Sequence, residues 1–146
     1  MHCGIGVEVR AGSPKPDISS VEALKHTLLS AKSIGYIAPN RVQELIERLG
    51  LTEALRSKTR TPNLDIVSEL VAKGELELGI VVITQILTTP GVDLVGPLPP
   101  QLQYDFEFSA AISANSHTPD AARDLLKFLT DPLTASVIRS QGMEPG

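Results

Sequence analysis

The chain has 146 residues, a net charge of −4 and acidic and basic residues interspersed without a basic run, which excludes the charge pattern of a nucleic-acid-binding protein. With two Tyr, three Phe and no Trp, its core must consist of Val, Ile, Leu and Ala, as is typical of helices layered on buried strands. The single Cys3 excludes an internal disulfide, and no apolar stretch approaches the roughly 20 residues of a membrane span.

The first half of the chain alternates strand and helix patterns. Ile5, Val7 and Val9 recur with the period of two that indicates a strand, and glycine and proline follow in a turn. Apolar stripes with a helical period come next, and Gly50 is a typical helix stop. In chain order we predict a strand at 4–10, a helix at 21–31, a strand at 33–37, a helix at 41–49 and a short helix at 52–57.

The second half contains the most apolar segment. Residues 79–83 (GIVVI) lie within a nearly continuous apolar run and are predicted to form a buried central strand. The other predicted elements are a helix at 64–73, strands at 92–95 and 106–114, and helices at 119–130 and 133–141. The alternation of strands and helices predicts an α/β fold, with a mostly parallel sheet of about five strands flanked by helices.

The sequence contains no recognisable catalytic constellation. His2, His26 and His117 are scattered, and the motifs of nucleophile elbows, phosphate-binding loops and zinc-binding helices are absent. Lys32 and Arg41 could neutralise an anion, although both also fit ordinary surface charges. We therefore expect a non-catalytic domain without a cofactor or a metal.

Two Pro-Asn steps are the candidate ligand-binding features. Each follows an extended segment and precedes a helix, whose N-terminus carries unpaired N–H groups and a positive dipole end. Two such ends at the carboxyl ends of parallel strands would form a cradle for an anion. The alternative is that both steps only cap their helices. The candidate residues are Pro39, Asn40, Arg41, Asn63, Leu64, Asp65, Val82 and Thr84.

Several runs of sequence together resemble the molybdate-binding-like, type 2 periplasmic family of bacterial extracellular solute-binding proteins. They are GSPKPDIS at 12–19 with EALK at 22–25, AKSIGY at 31–36, LGL at 49–51, ELVAKGE at 69–75, PGVDLVGPLP at 90–99 with QLQ at 101–103, AA to FL at 121–129, and GMEP at 142–145. This resemblance implies two α/β lobes with a ligand cleft between them, joined by two crossover strands that act as a hinge.

The resemblance also assigns parts of the chain to the two lobes. It implies that residues 4–114 form the second lobe with both crossover strands, at 4–10 and 106–114, and that residues 115–146 are C-terminal helices of a first lobe truncated at its N-terminal side. Residue 37 leads into the next helix without the family's longer Gly/Ser-rich turn, and Val81, Val82 and Ile83 are apolar where polar side chains often face the ligand. We therefore expect weakened anion binding.

These inferences leave more than one function open. The first is a non-catalytic solute-binding domain of ABC-transporter receptor ancestry, degenerate in anion binding, which takes a small anion or organic solute and meets a permease only if a complete receptor is assembled. The alternative is an orphaned, self-associating lobe that forms a homodimer through Ala122, Leu125, Leu126 and Leu129. An enzyme on the same scaffold is a third, weaker hypothesis. The family implies the periplasm, but residues 1–10 lack signal-peptide features, so a cytoplasmic location also stays open.

Overall fold

The computed structural model describes residues 1–37, 41–62 and 66–145. Strands and helices alternate along most of the chain, and the elements after β6 are helical. The elements are β1 His2–Arg10, α1 Val21–Ser30, β2 Ile34–Tyr36, α2 Arg41–Arg48, α3 Thr52–Leu55, β3 Thr59–Arg60, α4 Val67–Ala72, β4 Leu78–Val82, α5 Ile83–Thr88, β5 Val92–Pro97, β6 Asp105–Glu107, α6 Pro119–Thr130 and, after a 3₁₀ turn at Pro132–Thr134, α7 Ala135–Ser140.

The sheet has the strand order β3-β2-β4-β1-β5, and β6 also pairs with β1. β2 runs parallel to β3 and β4, whereas β1 is antiparallel to β4, β5 and β6. The described strands therefore share one direction, except for β1, which lies between β4 and β5 and runs in the opposite direction. The predicted α/β class is confirmed, and β4, the predicted buried strand, lies in the middle of the order.

Helices pack on both faces of the sheet. On one face, apolar side chains of α1, α2 and α3, among them Leu24, Leu45 and Leu55, form a buried cluster with Ile5 and Ile80 of the sheet. On the other face a second cluster contains side chains of α4, α5, β4 and β5: Val67, Val71, Val81, Ile86 and Val92. The scarcity of aromatic residues is thus met by aliphatic packing in two layers. No helix among the described residues combines the length and hydrophobicity needed to cross a membrane.

Two predicted elements differ from the structure. The predicted strand at 79–83 ends one residue early, because α5 begins at Ile83. The sequence did not indicate this helix, since a short apolar run fits a buried helix as well as a strand. The predicted strand at 106–114 is wrong beyond its start, since β6 covers only Asp105–Glu107 and most of the following residues are exposed. That segment is rich in Ala and Ser, which gain little from pairing unless they are buried. The two-residue β3 was not predicted.

A buried carboxyl group, Glu8, lies in the middle of the central strand β1. Glu8 is 0% exposed, and the Ser68 Oγ lies 2.9 Å from each of its carboxylate oxygens. Space for the carboxyl exists because its cross-strand neighbour is Gly79, whose Cβ, if it had one, would lie 2.2 Å from Oε1. Burial raises the pKa of the Glu8 carboxyl to about 7, and the Ser68 hydrogen bond lowers it only in part.

The contact geometry suits a neutral acid. A serine hydroxyl carries one proton and can donate to only one carboxylate oxygen. If Glu8 is protonated, its O–H donates to the Ser68 Oγ while the Ser68 hydroxyl donates to the other carboxyl oxygen. Both contacts are then satisfied hydrogen bonds, and the charge that burial penalises is absent.

We predict that Glu8 makes stability depend on pH. The pKa of Glu8 in the folded state, about 7, exceeds its ordinary value of 4.5. The contribution of protonated Glu8 to the free energy of unfolding is therefore complete below about pH 4.5 and is lost as the pH rises through 7. The full loss is on the order of 3 kcal/mol. Urea unfolding at pH 5 and pH 8 should show this loss in the wild type but not in Glu8→Gln, whose amide keeps both hydrogen bonds. The exposed Glu22→Gln is the matched control, and an equal pH dependence in wild type and Glu8→Gln would contradict the neutral state.

Candidate functional site

The carboxyl ends of β2 and β4 meet at one edge of the sheet. They are parallel neighbours, with Tyr36 opposite Ile80. The beginning of β1 reaches the same edge, because β1 is antiparallel to β4 and Ile5 lies opposite Val82. We call this region, together with the residues that contact it, the carboxyl edge. The word edge here means the side of the sheet where the strands end, and not an outermost strand. In α/β sheets ligands commonly bind at the carboxyl ends of the strands.

The structure describes three of the predicted ligand-binding residues, and it associates each with this edge. Arg41 is the first residue of α2, Val82 is the last residue of β4, and Thr84 lies in the first turn of α5. The other candidates, Pro39, Asn40, Asn63, Leu64 and Asp65, lie outside the described residues.

The β4–α5 junction has no connecting loop. Val82 is extended, with φ −66° and ψ 139°, and its side chain does not cap the helix that starts at Ile83. Thr84 reaches back to the beginning of β1, where the Cys3 Sγ lies 3.8 Å from its Oγ1. The turn at Gly142 packs against the same helix start, since a Cβ there would lie 2.8 Å from Ile83 Cγ2. The C-terminal segment therefore covers part of this edge.

Tyr104 holds the charged side chain of the carboxyl edge in place. The Arg41 guanidinium carbon lies 5.2 Å from the centroid of the Tyr104 ring, in a cation–π contact. Arg48, two turns further along α2, donates from Nη1 to the Tyr104 hydroxyl at 2.6 Å. Tyr104 is thus contacted by two arginines of one helix, and Arg41 has an aromatic surface against which its guanidinium is ordered. The seven-residue spacing of these arginines was the sequence signal that could have indicated a shared partner.

Gln103 fixes the backbone next to Tyr104. Its Oε1 accepts from the Ile5 N–H at 2.9 Å and from the Tyr104 N–H at 3.0 Å, while its Nε2 donates to the Ile5 carbonyl at 3.0 Å. β5 pairs with β1 from Gly6 onwards and β6 pairs with residues 2–4, so Ile5 lies between the two pairings. The side chain of Gln103 therefore takes the place of a strand residue there. Sequence analysis missed it.

Tyr36 contributes an uncharged hydroxyl at the end of β2. Its side chain is largely buried, and desolvation, aided by the negative charge of Glu47, raises the pKa of the phenol above its ordinary value. The phenol is therefore neutral at physiological pH. Among the described residues, Arg41 and Arg48 are positive charges whose side chains Tyr104 holds near this edge, and Arg41 is the one at the start of α2.

Residues 4–144 match the family model of the bacterial extracellular solute-binding proteins. The chain belongs to this family. It is also similar to an aconitate isomerase from Pseudomonas sp., with 35% identity over 147 residues that cover 97% of the chain and 55% of that protein. The resemblance inferred from the sequence is thus confirmed.

Solved structures of the same fold agree. A chain described as the substrate-binding domain of a molybdenum ABC transporter from Clostridium difficile matches with a TM-score of 0.75 at 16% identity, covering 99% of this chain and 64% of that one. The periplasmic molybdate-binding protein of Azotobacter vinelandii matches with a TM-score of 0.66 at 18% identity, covering 97% and 64%. This chain therefore spans between about half and two thirds of the relatives it matches.

We predict that Gln103→Ala destabilises the protein by about 1–3 kcal/mol, because the Ile5 N–H loses its partner and its carbonyl loses one. Urea unfolding measures the change. Gln101→Ala, an exposed glutamine two residues away, is the control and should stay within about 0.5 kcal/mol of the wild type. Equal destabilisation by the two substitutions would show that Gln103 does not act as a strand substitute.

Proposed function

We propose that the chain is a solute-binding domain whose carboxyl edge binds a small organic carboxylate through Arg41. The observation that carries this proposal is the ordering of the Arg41 guanidinium on Tyr104 at that edge. Within the described residues, Arg41 has no carboxylate partner of its own. A planar guanidinium recognises a carboxylate through two parallel hydrogen bonds, and an ordered one loses less entropy on binding.

An organic acid fits the edge better than an inorganic oxyanion does. A tetrahedral oxyanion needs polar donors on several sides to replace its hydration shell. Here β4 ends in the apolar residues Val81 and Val82, and Ile83 follows directly. An organic acid can place its carboxylate on Arg41 and its carbon skeleton against these aliphatic side chains. The similarity to an aconitate isomerase supports this choice, since aconitate is a carboxylate.

The assignment of residues to lobes is part of the same proposal. Residues 4–114 would form one lobe, and residues 115–146 would belong with another, so that a complete cleft needs both. Contact with an ABC-transporter permease would require such a complete receptor. In this arrangement the chain is a binding domain without catalytic activity, and affinity for molybdate is weak.

Calorimetric titration with aconitate, citrate and molybdate tests the ligand. We expect a carboxylate to bind, and Arg41→Gln to weaken its binding at least tenfold, because the charged pair is lost. Arg56→Gln is the matched control, since Arg56 pairs with Glu53 on the exposed surface of α3. Unchanged affinity in Arg41→Gln, or sub-micromolar molybdate binding by the wild type, would contradict the proposal.

A second candidate function is isomerisation of aconitate, which the 35% identity over 97% of the chain favours. The decisive measurement is chromatography of cis-aconitate incubated with the chain. Formation of the trans isomer, at a rate proportional to protein concentration and reduced in Arg41→Gln, would replace the binding function with an enzymatic one. Binding without conversion would support the domain as a receptor.

The C-terminal helices provide an argument for self-association. Neither α6 nor α7 has a buried residue. We define the C-terminal apolar face as the exposed side chains of Leu125, Phe128, Leu133 and Val137, which are 56%, 62%, 87% and 63% exposed. Exposed apolar side chains on two neighbouring helices favour association, and a symmetric dimer would cover them on both copies.

We therefore predict that the chain forms a homodimer at micromolar concentration, measurable by sedimentation velocity. Leu133→Gln combined with Val137→Gln should shift the equilibrium towards monomer, because it places polar groups in the apolar interface. Leu29→Gln, which changes a leucine on α1 that is 47% exposed, is the control and should have no effect. A monomer at every concentration would refute the dimer.

A further inference from the structure

A depression of about 870 Å³ lies at the end of the sheet opposite the carboxyl edge. It forms where the end of β1 and its turn into α1 meet the segments that precede β2 and β4. These parts come together because β1 is reversed, so that its last residue lies at the same end as the first residues of β4. We call it the amino-edge pocket. Its charged lining residues are Arg10, Lys15, Asp17, Lys32 and Glu77, and His26 also contributes.

The two acidic residues of the amino-edge pocket already have internal partners. Asp17 Oδ1 accepts from the Ser19 N–H at 2.9 Å, and this bond lowers the pKa of the Asp17 carboxyl. Glu77 Oε2 accepts from the Lys32 N–H at 2.7 Å, linking the segments before β2 and β4. Each carboxylate therefore holds a turn in place through the backbone and keeps its negative charge, without forming an ion pair with a cationic side chain of the pocket.

The three cationic side chains of the pocket have no ion-pair partner among the described residues: Arg10, Lys15 and Lys32. Lysines on the adjoining helices differ in this respect. Lys25 pairs with Glu22 at 3.3 Å, and Lys73 pairs with Glu69 at 3.5 Å. The lining thus carries three positive and two negative charges, an excess of one positive charge on a chain whose net charge is −4. Such a concentration of one sign attracts small ions of the other.

Gly74 lies beside one of these cations. It has φ +76°, and a Cβ at this position would be in ordinary contact with Arg10 Nη1, at 3.5 Å. The guanidinium therefore lies against the turn between α4 and β4. The rest of the wall includes apolar side chains of β1 and β4, Val9 and Leu78. Cationic and aliphatic side chains therefore both line the pocket.

We propose that the amino-edge pocket binds a small organic polyanion, with two or more carboxylate or phosphate groups on a carbon skeleton. Its volume lies in the range of about 300–1,000 Å³ that small organic ligands occupy, and it is far larger than a single inorganic anion needs. Arg10, Lys15 and Lys32, which form no ion pair among the described residues, can each contact one negative group of the ligand, and the aliphatic side chains of the lining contact the skeleton. This site is independent of the carboxylate site at Arg41, which lies at the other end of the sheet.

The test is an NMR titration of the full chain carrying Arg41→Gln, which weakens carboxylate binding at the carboxyl edge. Citrate and glycerol 2,3-bisphosphate are the polyanions, one for each chemistry, and sulfate is the comparison. We expect saturable shifts of the Arg10, Lys32 and Glu77 amides with at least one polyanion, and at least tenfold weaker binding of sulfate. A response to only one polyanion supports the site and identifies its chemistry.

Variants of the lining complete the test. Lys32→Gln and Arg10→Gln should each weaken polyanion binding at least fivefold, while Lys32→Gln keeps the backbone bond to Glu77. Lys15→Gln, in an exposed turn, is a further variant that leaves the strands untouched. Lys25→Gln is the control and should bind as before, because Lys25 does not line the pocket. Absence of saturable shifts, sulfate binding as tight as polyanion binding, or unchanged affinity in all three lining variants would overturn the proposal.

Discussion

The reversed strand β1 is the constraint on which the rest of the structure depends. It pairs with β4 and β5 within the sheet, pairs with β6 near its start, and bonds through His2 to Glu144 near the C-terminus. Segments far apart in sequence therefore share one strand as their partner. Because β1 runs against its neighbours, its two ends lie at opposite edges, and each end contributes to one of the two proposed sites: Cys3 and Ile5 at one, Arg10 at the other.

The middle of the same strand carries a polar group where an apolar one would be expected. Glu8 is enclosed between the sheet and α4, and it is compatible with burial because Ser68 supplies a hydrogen-bond partner and Gly79 supplies space. An uncharged acid costs far less to bury than an ionised one. β1 is therefore buried in the core although one of its inward residues, Glu8, is polar.

Local patterns in the sequence predicted much of the fold. The period of two in β1, the apolar run of β4 and the amphipathic pattern of α6 each identified an element correctly, because each signal lies within a few residues. The whole of α5 was missed, since aliphatic residues on both sides of residue 83 gave no change of period. The reversed direction of β1 could not be read from alternation alone, which carries no information about strand order.

The site was harder to predict than the fold. Arg41 was identified from its position at a helix start, but its partner Tyr104 and the neighbouring Gln103 were not. Gln103 acts on Ile5 across 98 positions of sequence, and a glutamine in a loop gives no local sign of such a contact. Side chains that substitute for a strand become visible only once the register of the surrounding strands is known.

The contact between Glu8 and Gly79 also limits how related sequences can diverge. Any side chain at position 79 would place a Cβ 2.2 Å from Glu8 Oε1, so it requires a smaller residue at position 8. A smaller residue at position 8 in turn removes the partner of the buried Ser68 hydroxyl, which favours an apolar residue at position 68. Substitutions at positions 8, 68 and 79 are therefore coupled, because a side chain at position 79 is compatible only with a displaced or smaller side chain at position 8.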